Sequence, residues 1–257
     1  MARIAVTGAA GSVGRVTLEA FTESDHEVTP ITHRERDLDG VDLDVEDREA
    51  VRSALADHDV VVHLAGAPSP DADWDSVLDA NIDGTYSVYE AARENDLDRV
   101  VFASTNHTQQ MYNAANPARP ESVVDSPEAV YPEDPPRPDS FYAVSKVAGE
   151  ALGSYYADRH GLEVVDARIG WLLTAGELRE KQESEDPALA KYARAMWLSP
   201  RDWRAFVRRA VEADLPRNPL TVTATSANAE HYLSLTTARR GLEYRPRDDS
   251  AEVVDRG

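Results

Sequence analysis

A glycine triplet near the start of the chain restricts the fold more than any other feature. The apolar run Arg3–Thr7 reads as a strand, and Gly8-Ala9-Ala10-Gly11-Ser12-Val13-Gly14 follows it at once. A helical pattern then covers Ser12–Phe21. The spacing gives each glycine a task. Gly8 permits a tight turn, Gly11 lets backbone approach a pyrophosphate, and Gly14 lets the helix pack on the sheet. Ala10, Ser12 and Val13 complete the loop, and the helix N-terminus points free N–H groups at an anion. Glycines alone mark any turn. Set between a strand and a helix, they predict a dinucleotide site.

The same strand–helix alternation continues. Val28–Thr32, Asp59–Leu64, Arg99–Ser104, Leu162–Ile169 and Leu220–Thr225 read as strands, and Arg48–Ala56, Trp74–Glu94, Ser140–Arg159 and Trp203–Glu212 as helices. Near-continuous apolar runs indicate strands covered on both faces, hence a parallel sheet. The expected fold is α/β, a doubly wound parallel sheet of Rossmann type with a small C-terminal substrate-binding lobe. Residues 1–257 are read as one domain. Its first part, 1–170, is mainly dinucleotide-binding core, and 171–257 mainly the lobe with a late strand returning to the sheet. Two stretches show no regular pattern. His107–Asp139 carries seven prolines, and Trp171–Ser199 is polar and irregular. Both follow strands at their carboxyl ends, where ligands sit in open α/β sheets, so both are expected to be binding loops.

Composition narrows the function. There is no cysteine, which excludes a disulfide framework, a thiolate metal site and cysteine catalysis. The 47 acidic residues against 27 basic ones give a net charge of -20. Such a surface repels phosphate backbones and anionic lipid, so neither nucleic acid nor membrane is an expected partner. A hydrophobic fraction of 42% argues for a folded, acid-coated protein of the kind salt-accumulating cells contain. No signal-peptide layout or membrane-length apolar stretch is seen, which predicts a cytoplasmic protein. Lysine occurs only at 146, 181 and 191.

The second strand is followed by His33 and Arg34 rather than an acid. An acid there accepts from a ribose 2′-OH, whereas an arginine accommodates a 2′-phosphate. NAD(P) is therefore the expected cofactor, with NADP slightly favoured. NAD stays open through Glu35 or Asp37 in a shifted register. Asp44, beside Val45, is a candidate acceptor for the adenine amino group. Leu64, Ala65 and Gly66 end the Asp59–Leu64 strand, where glycine allows close approach of a cofactor, and Ile169 ends a later one.

Tyr142 and Lys146 lie four apart on a predicted helix, on one face. A neighbouring ammonium favours phenolate and is expected to lower the tyrosine pKa, giving a tuned acid/base. In a chain that otherwise uses arginine, a lysine at 146 implies a role the planar guanidinium cannot fill. Thr105 presents a hydroxyl where the Arg99–Ser104 strand ends. No His/Asp/Glu cluster has metal-ligand spacing, so no metal is expected.

With the glycine triplet, His63–Gly66, Asn81, Thr105 and the Tyr142/Lys146 pair in place, the chain resembles the extended short-chain dehydrogenase/reductase family, also called the epimerase/dehydratase family. The resemblance runs from Ile4 to about Glu252. It implies that Thr105 orients a substrate hydroxyl, Tyr142 moves the proton, Lys146 binds the nicotinamide ribose and tunes Tyr142, and Asn81 supports a proton-relay water beside the cofactor. Ser104–Thr108, Arg168–Gly170, Met196–Ser199 and Ser226–Asn228 are most similar to uronate dehydrogenases and to the glucose-6-phosphate dehydrogenase of halophilic archaea. That implies oxidation of a sugar at C1 to a lactone, with Asn106 and His107 on sugar hydroxyls. Pro68 and Trp171 stand where uronate dehydrogenases have serine, and Tyr192 stands where they have a carboxylate-binding arginine. Lys191 and Arg194 flank that place and are candidates to supply its charge. The candidate substrate set is Ser69, Thr105, Asn106, His107, Tyr142, Trp171, Lys191 and Arg194. The family also implies a homodimer or higher oligomer built on the helices Trp74–Glu94 and Ser140–Arg159. The leading expectation is an NAD(P)-dependent sugar dehydrogenase. A nucleotide-sugar epimerase or dehydratase and a non-catalytic NAD(P)-binding regulator are the rivals.

Overall fold

The computed structural model describes residues 1–33 and 38–255. In chain order it runs β1 (Arg3–Thr7), α1 (Ser12–Phe21), β2 (Glu27–Thr32), β3 (Val41–Asp42), α2 (Arg48–Leu55), β4 (Val60–His63) and α3 (Trp74–Val77). A π-helical turn over Leu78–Asp83 leads into α4 (Gly84–Glu94) and β5 (Arg99–Thr105). A 3-10 segment, Asn106–Tyr112, and the hairpin of β6 (Ala114–Asn116) and β7 (Arg119–Val123) precede α5 (Phe141–His160) and β8 (Glu163–Ile169). Then come β9 (Trp171–Leu172), α6 (Ala175–Gln182), α7 (Pro187–Met196), β10 (Trp197–Leu198), α8 (Pro200–Glu212), β11 (Leu220–Ala224), α9 (Thr236–Gly241) and α10 (Ser250–Asp255).

Seven strands form one parallel sheet in the order β11-β8-β5-β4-β1-β2-β3. The chain reverses direction of growth between β1 and β4, which opens a crevice at their carboxyl ends. Successive strand residues face opposite layers. Val101 packs with Val165, Trp203 and Phe206 on the α1/α8 side, while Val100 and Phe102 pack with Val88, Leu55 and Tyr156 on the α2/α4/α5 side. Full burial of side chains such as Trp203 and Phe206 stabilises the fold by roughly 1.5–3 kcal/mol each.

The structure departs from the expected elements in several places. The helix expected over Trp74–Glu94 is broken by the π-helical turn. Its wider winding turns Asn81 inward, where the side chain is fully buried. The stretch expected to be irregular, Trp171–Ser199, is two helices between a pair of short parallel strands, Trp171–Leu172 and Trp197–Leu198. Thr174 and Glu177 form a capping box on α6, and Asp186 caps α7 just before Pro187. Ser199 caps α8, which starts three residues earlier than the expected Trp203. Within the proline-rich stretch, the 3-10 segment and the hairpin are regular.

Candidate active site

The first strand and helix build the anion end of the crevice. Gly8 holds φ at +67°, and a Cβ there would lie 2.8 Å from the backbone of Leu64 and Ala65. Gly14 lies under the loop, where a Cβ would sit 2.3 Å from the Gly8 carbonyl oxygen. Gly11 is the N-cap of α1 and offers no side chain to its free N–H groups, which leaves them to a ligand. These groups open on a cleft of about 600 Å³ lined by Gly8, Ala10, Gly11, His33, Asp44 and Val45, with Leu64, Ala65 and Gly66 as its floor. A bare helix N-terminus, a turn with no room for side chains and a cleft of this size fit a dinucleotide. His33 Nδ1 pairs with the Asp44 carboxylate at 3.4 Å, and Asp44 also accepts the Glu46 N–H at 3.0 Å. Arg34, Glu35 and Asp37 lie outside the described residues.

A buried polar column supports this floor. Thr7 Oγ1 accepts from the N–H groups of Leu64 and Ala65 at 3.1 and 3.2 Å, so its own proton goes to His63 Nδ1 at 2.7 Å. His63 Nε2–H then donates to Thr85 Oγ1 at 3.2 Å. Burial, with a smaller push from the Lys146 charge, lowers His63 to about 3, so the ring is neutral and its tautomer fixed. Sequence reading passed over this column, although Thr7 and His63 both stand at strand ends facing the crevice.

A second cavity of about 290 Å³ adjoins the first and shares Leu64, Gly66 and Pro68 with it. Ser12, Val13, Thr105, Tyr142, Lys146 and Ile169 line it, together with Trp171. The Tyr142 hydroxyl and the Thr105 side chain are neighbours in this cavity. Lys146 is buried, with Nζ 5.0 Å from the Phe102 ring centre and 5.8 Å from that of Tyr142. Burial lowers its ammonium to about 8.

The expected lowering of Tyr142 is not found. Burial pushes the phenol up, the Thr105 side chain partly opposes this, and the Asp139 charge adds to the rise. The ammonium lies beside the ring face rather than at the oxygen, so desolvation wins.

Asn81 does not face the cavity with its side chain. Its Oδ1 accepts from the Ala67 N–H at 2.6 Å, and its Nδ2 donates to Ala67 O at 3.2 Å and Ser145 Oγ at 2.9 Å. Ser145 in turn donates to the Tyr142 carbonyl at 2.7 Å. Asn81 thus fastens the loop after β4 to the turn that carries Tyr142.

The substrate side divides the expected set. His107 Nδ1 pairs with Asp139 Oδ2 at 2.6 Å, and its Nε2 lies 3.2 Å from the Tyr192 hydroxyl. Asn106 Nδ2 donates to the same hydroxyl at 2.7 Å. Trp171 packs against Tyr192, and Lys181 lies 5.2 Å over the Trp171 ring. Ser69 is exposed, accepts the Asp71 N–H at 3.2 Å and lines neither cavity. Lys191 and Arg194 do not supply the expected charge. Lys191 Nζ donates to Val124 O at 2.8 Å, and Arg194 binds Glu230 and Gln182. The reason is helical: neighbours in sequence point about 100° apart, so residues flanking Tyr192 on α7 face elsewhere. Asp139 was missed, and so was the hydrogen-bonding role of Tyr192. Asp139 had one legible signal, its place beside the Ser140 N-cap of α5.

Residues 4–199 match the NAD dependent epimerase/dehydratase family. The chain is 64% identical over 256 residues to an L-arabinose 1-dehydrogenase (NAD(P)(+)) of Haloferax volcanii, covering 99% of this chain and 100% of that one. It is 37% identical over 270 residues to an NAD-dependent glucose-6-phosphate dehydrogenase of the same organism, covering 99% and 96%. The crystal structure of uronate dehydrogenase from Agrobacterium tumefaciens superposes with a TM-score of 0.81 at 29% identity, over 99% of this chain and 87% of that one. Among the described residues, no helix is long and apolar enough to cross a membrane. Glycine loop, tyrosine–lysine helix and matched residues agree, and the chain belongs to the NAD-dependent epimerase/dehydratase family.

Proposed function

We propose that the chain is an NAD(P)-dependent sugar dehydrogenase that oxidises C1 of a neutral aldose, with L-arabinose the first candidate, to the lactone. One observation carries the choice of a neutral sugar. Where the resemblance to uronate dehydrogenases implies a carboxylate-binding arginine, this chain has a buried tyrosine hydrogen-bonded to Asn106 and His107, and both flanking cations are engaged elsewhere. This set lies behind Thr105 rather than lining either cavity, and it brings no lysine or arginine to the site. A sugar carboxylate or phosphate would lose its hydration there without gaining a charged partner. The 64% identity to an L-arabinose 1-dehydrogenase supports the same reading.

When bound, NAD(P) supplies the hydride acceptor. The chain does the rest. Thr105 and Tyr142 would meet the C1 hydroxyl from one side, and Tyr142, as the phenolate left once its own proton has gone to solvent, would take the hydroxyl proton as C1 gives up hydride. Lys146 would hold the nicotinamide ribose, and its ammonium beside the Tyr142 ring would offset the charge of a phenolate there. Pro68 and Trp171 add apolar surface to the wall of the cavity. For the cofactor, NADP is favoured over NAD because an imidazole, His33, follows β2 where an acid would bind a 2′-OH. We propose a homodimer through α5 and α3/α4, whose faces expose Trp74, Phe141, Val144 and Tyr155. Light scattering in molar salt checks it, and a monomer mass would end it.

The test of activity is cofactor reduction in molar salt, with L-arabinose, other aldoses, glucuronate, galacturonate and glucose 6-phosphate, against NAD and NADP. Turnover of a neutral aldose well above that of the anions is the expected result. Preference for an anionic sugar would overturn the substrate class, and no reduction with any sugar would overturn the activity.

A further inference from the structure

We propose that Glu150 is a positioning residue for this reaction. Its buried carboxylate joins the helix carrying Tyr142 and Lys146 to the strand carrying Thr105 and, through Arg168, to the proline-rich loop that leads to Asp139. The inference rests on the dehydrogenase reading above for its kinetic consequence, and on geometry alone for the linkage.

Glu150 lies four residues beyond Lys146 and eight beyond Tyr142, so the three share one face of α5. Its side chain is 10% exposed and that of Arg168 is 4% exposed. Arg168 grips the carboxylate with two parallel bonds, Nε to Oε1 and Nη2 to Oε2, both 2.8 Å. Such a fork fixes direction as well as distance. The Ser104 hydroxyl donates to Oε1 as well. Ser104 and Arg168 stand directly opposite each other on β5 and β8, so one carboxylate spans a cross-strand pair. Each is followed by a residue that lines the reactive cavity, Thr105 and Ile169.

The remaining arm of Arg168, Nη1, donates to Pro132 O at 3.1 Å. The loop around Pro132 is held again by Gln109, whose Nε2 donates to Tyr131 O at 2.7 Å and Asp134 O at 3.1 Å. It ends at Asp139, the partner of His107. A second acid, Asp166, lies two residues before Arg168 on the same strand. Burial and the Glu150 charge push its carboxyl well above the usual carboxylate range, whereas Glu150 meets the guanidinium directly. Proton-transfer helix, hydroxyl-bearing strand and sugar-side loop therefore meet at a single group.

A buried ion pair also serves simply to fill a core, and replacing such a pair by apolar residues often leaves stability intact. Three variants separate the two roles. Ser104→Ala cuts one strand contact, Glu150→Gln removes the charge, and Glu150→Met with Arg168→Met removes both charges together. With the sugar that the wild type turns over best, kcat is expected to fall about 10- to 100-fold in the last two variants, since sub-ångström misplacement costs rates of that order. The isotope effect with C1-deuterated sugar is expected to rise, and cofactor Kd to stay within about twofold, because the cofactor cleft is untouched. Amide exchange over residues 131–139 is expected to quicken while that of β1 and α1 does not change. A double-methionine variant that melts like wild type, keeps its kcat and isotope effect and keeps the loop protected would overturn the proposal. If that variant does not fold, the same comparison of kcat and loop exchange in Glu150→Gln decides. If the wild type reduces no sugar, the dehydrogenase reading fails, and the exchange measurement still judges the linkage.

Discussion

At the scale of single residues, Lys146 shows the conflict between stability and activity. Its ammonium is buried under Phe102 and its pKa falls from 10.5 to about 8. That displacement corresponds to a destabilisation of roughly 3 kcal/mol near pH 7 relative to an exposed lysine. The sign follows from the depressed value. Between about pH 8 and 10.5 the unfolded chain binds more protons at this site than the folded one, so the contribution to stability improves as pH rises through that window. Lys146→Met is therefore expected to raise the unfolding free energy by roughly 1–3 kcal/mol at pH 7 while abolishing turnover. Melting curves at neutral pH and near pH 10 check it, because the gap should narrow at the higher pH. His33 carries the cofactor expectation at the same scale. His33→Asp is expected to move the NAD/NADP preference roughly tenfold toward NAD, since a carboxylate accepts from a 2′-OH and repels a 2′-phosphate. An unchanged ratio of kcat/KM values would remove His33 from cofactor choice. The tyrosine–lysine pair and the glycine loop were legible in the sequence because their spacing is local and their chemistry depends on few neighbours. The raised pKa of Tyr142 was not legible. It comes from burial and from Asp139, a group brought close by folding rather than by spacing on a helix.

At the scale of elements, what the sequence concealed was helix structure without a strong apolar stripe. The α6 segment is short and largely polar, whereas α7 is built mainly on alanine, whose small side chain marks a buried stripe only weakly. Their caps were nonetheless readable, as Thr174 with Glu177 and Asp186 before Pro187. The cap of α7 has a functional reach, because α7 carries Tyr192. Asp186→Ala removes the acceptor for the Ala188 and Leu189 N–H groups and is expected to cost about 1 kcal/mol. The expected signature is a raised KM for the sugar with cofactor Kd unchanged. An unaltered KM would detach the α7 cap from the site. The π-helical turn at Leu78–Asp83 was hidden for a different reason. Its sequence is compatible with an ordinary helix, and only tertiary bonds to Ala67 and Ser145 favour the wider winding. The same distinction explains the misplaced cations. Lys191 and Arg194 are next to Tyr192 or two residues from it along the chain, yet a helix turns them to β7 and to Glu230.

For the whole molecule, the net charge of -20 acts as a self-repulsion spread over a surface that otherwise holds a well-packed core. Exposed pairs such as Arg3–Asp59 and Arg217–Glu133 offset little of it. Screening is short-ranged at high ionic strength, about 3 Å at 1 M. Melting temperature is therefore expected to climb between 0.1 and 2 M KCl, roughly the range over which screening becomes nearly complete. A flat or falling curve would mean that the acidic surface does not limit stability. The parallel sheet itself was legible as a whole, since buried strands declare themselves as apolar runs. The order of its strands follows from connections that pack helices on both faces.

The rarity of lysine gives the buried ammonium a use as a probe. The chain has three ε-amino groups, and the one in the reactive cavity loses its proton near pH 8. At that pH a small acylating reagent meets a nucleophile at Lys146 far more often than at an amine with an ordinary lysine value near 10.4. Mass spectrometry of the modified chain would then count occupancy directly. Bound cofactor should shield this amine, so the fraction left unlabelled becomes a measure of filled sites that needs neither turnover nor knowledge of the sugar.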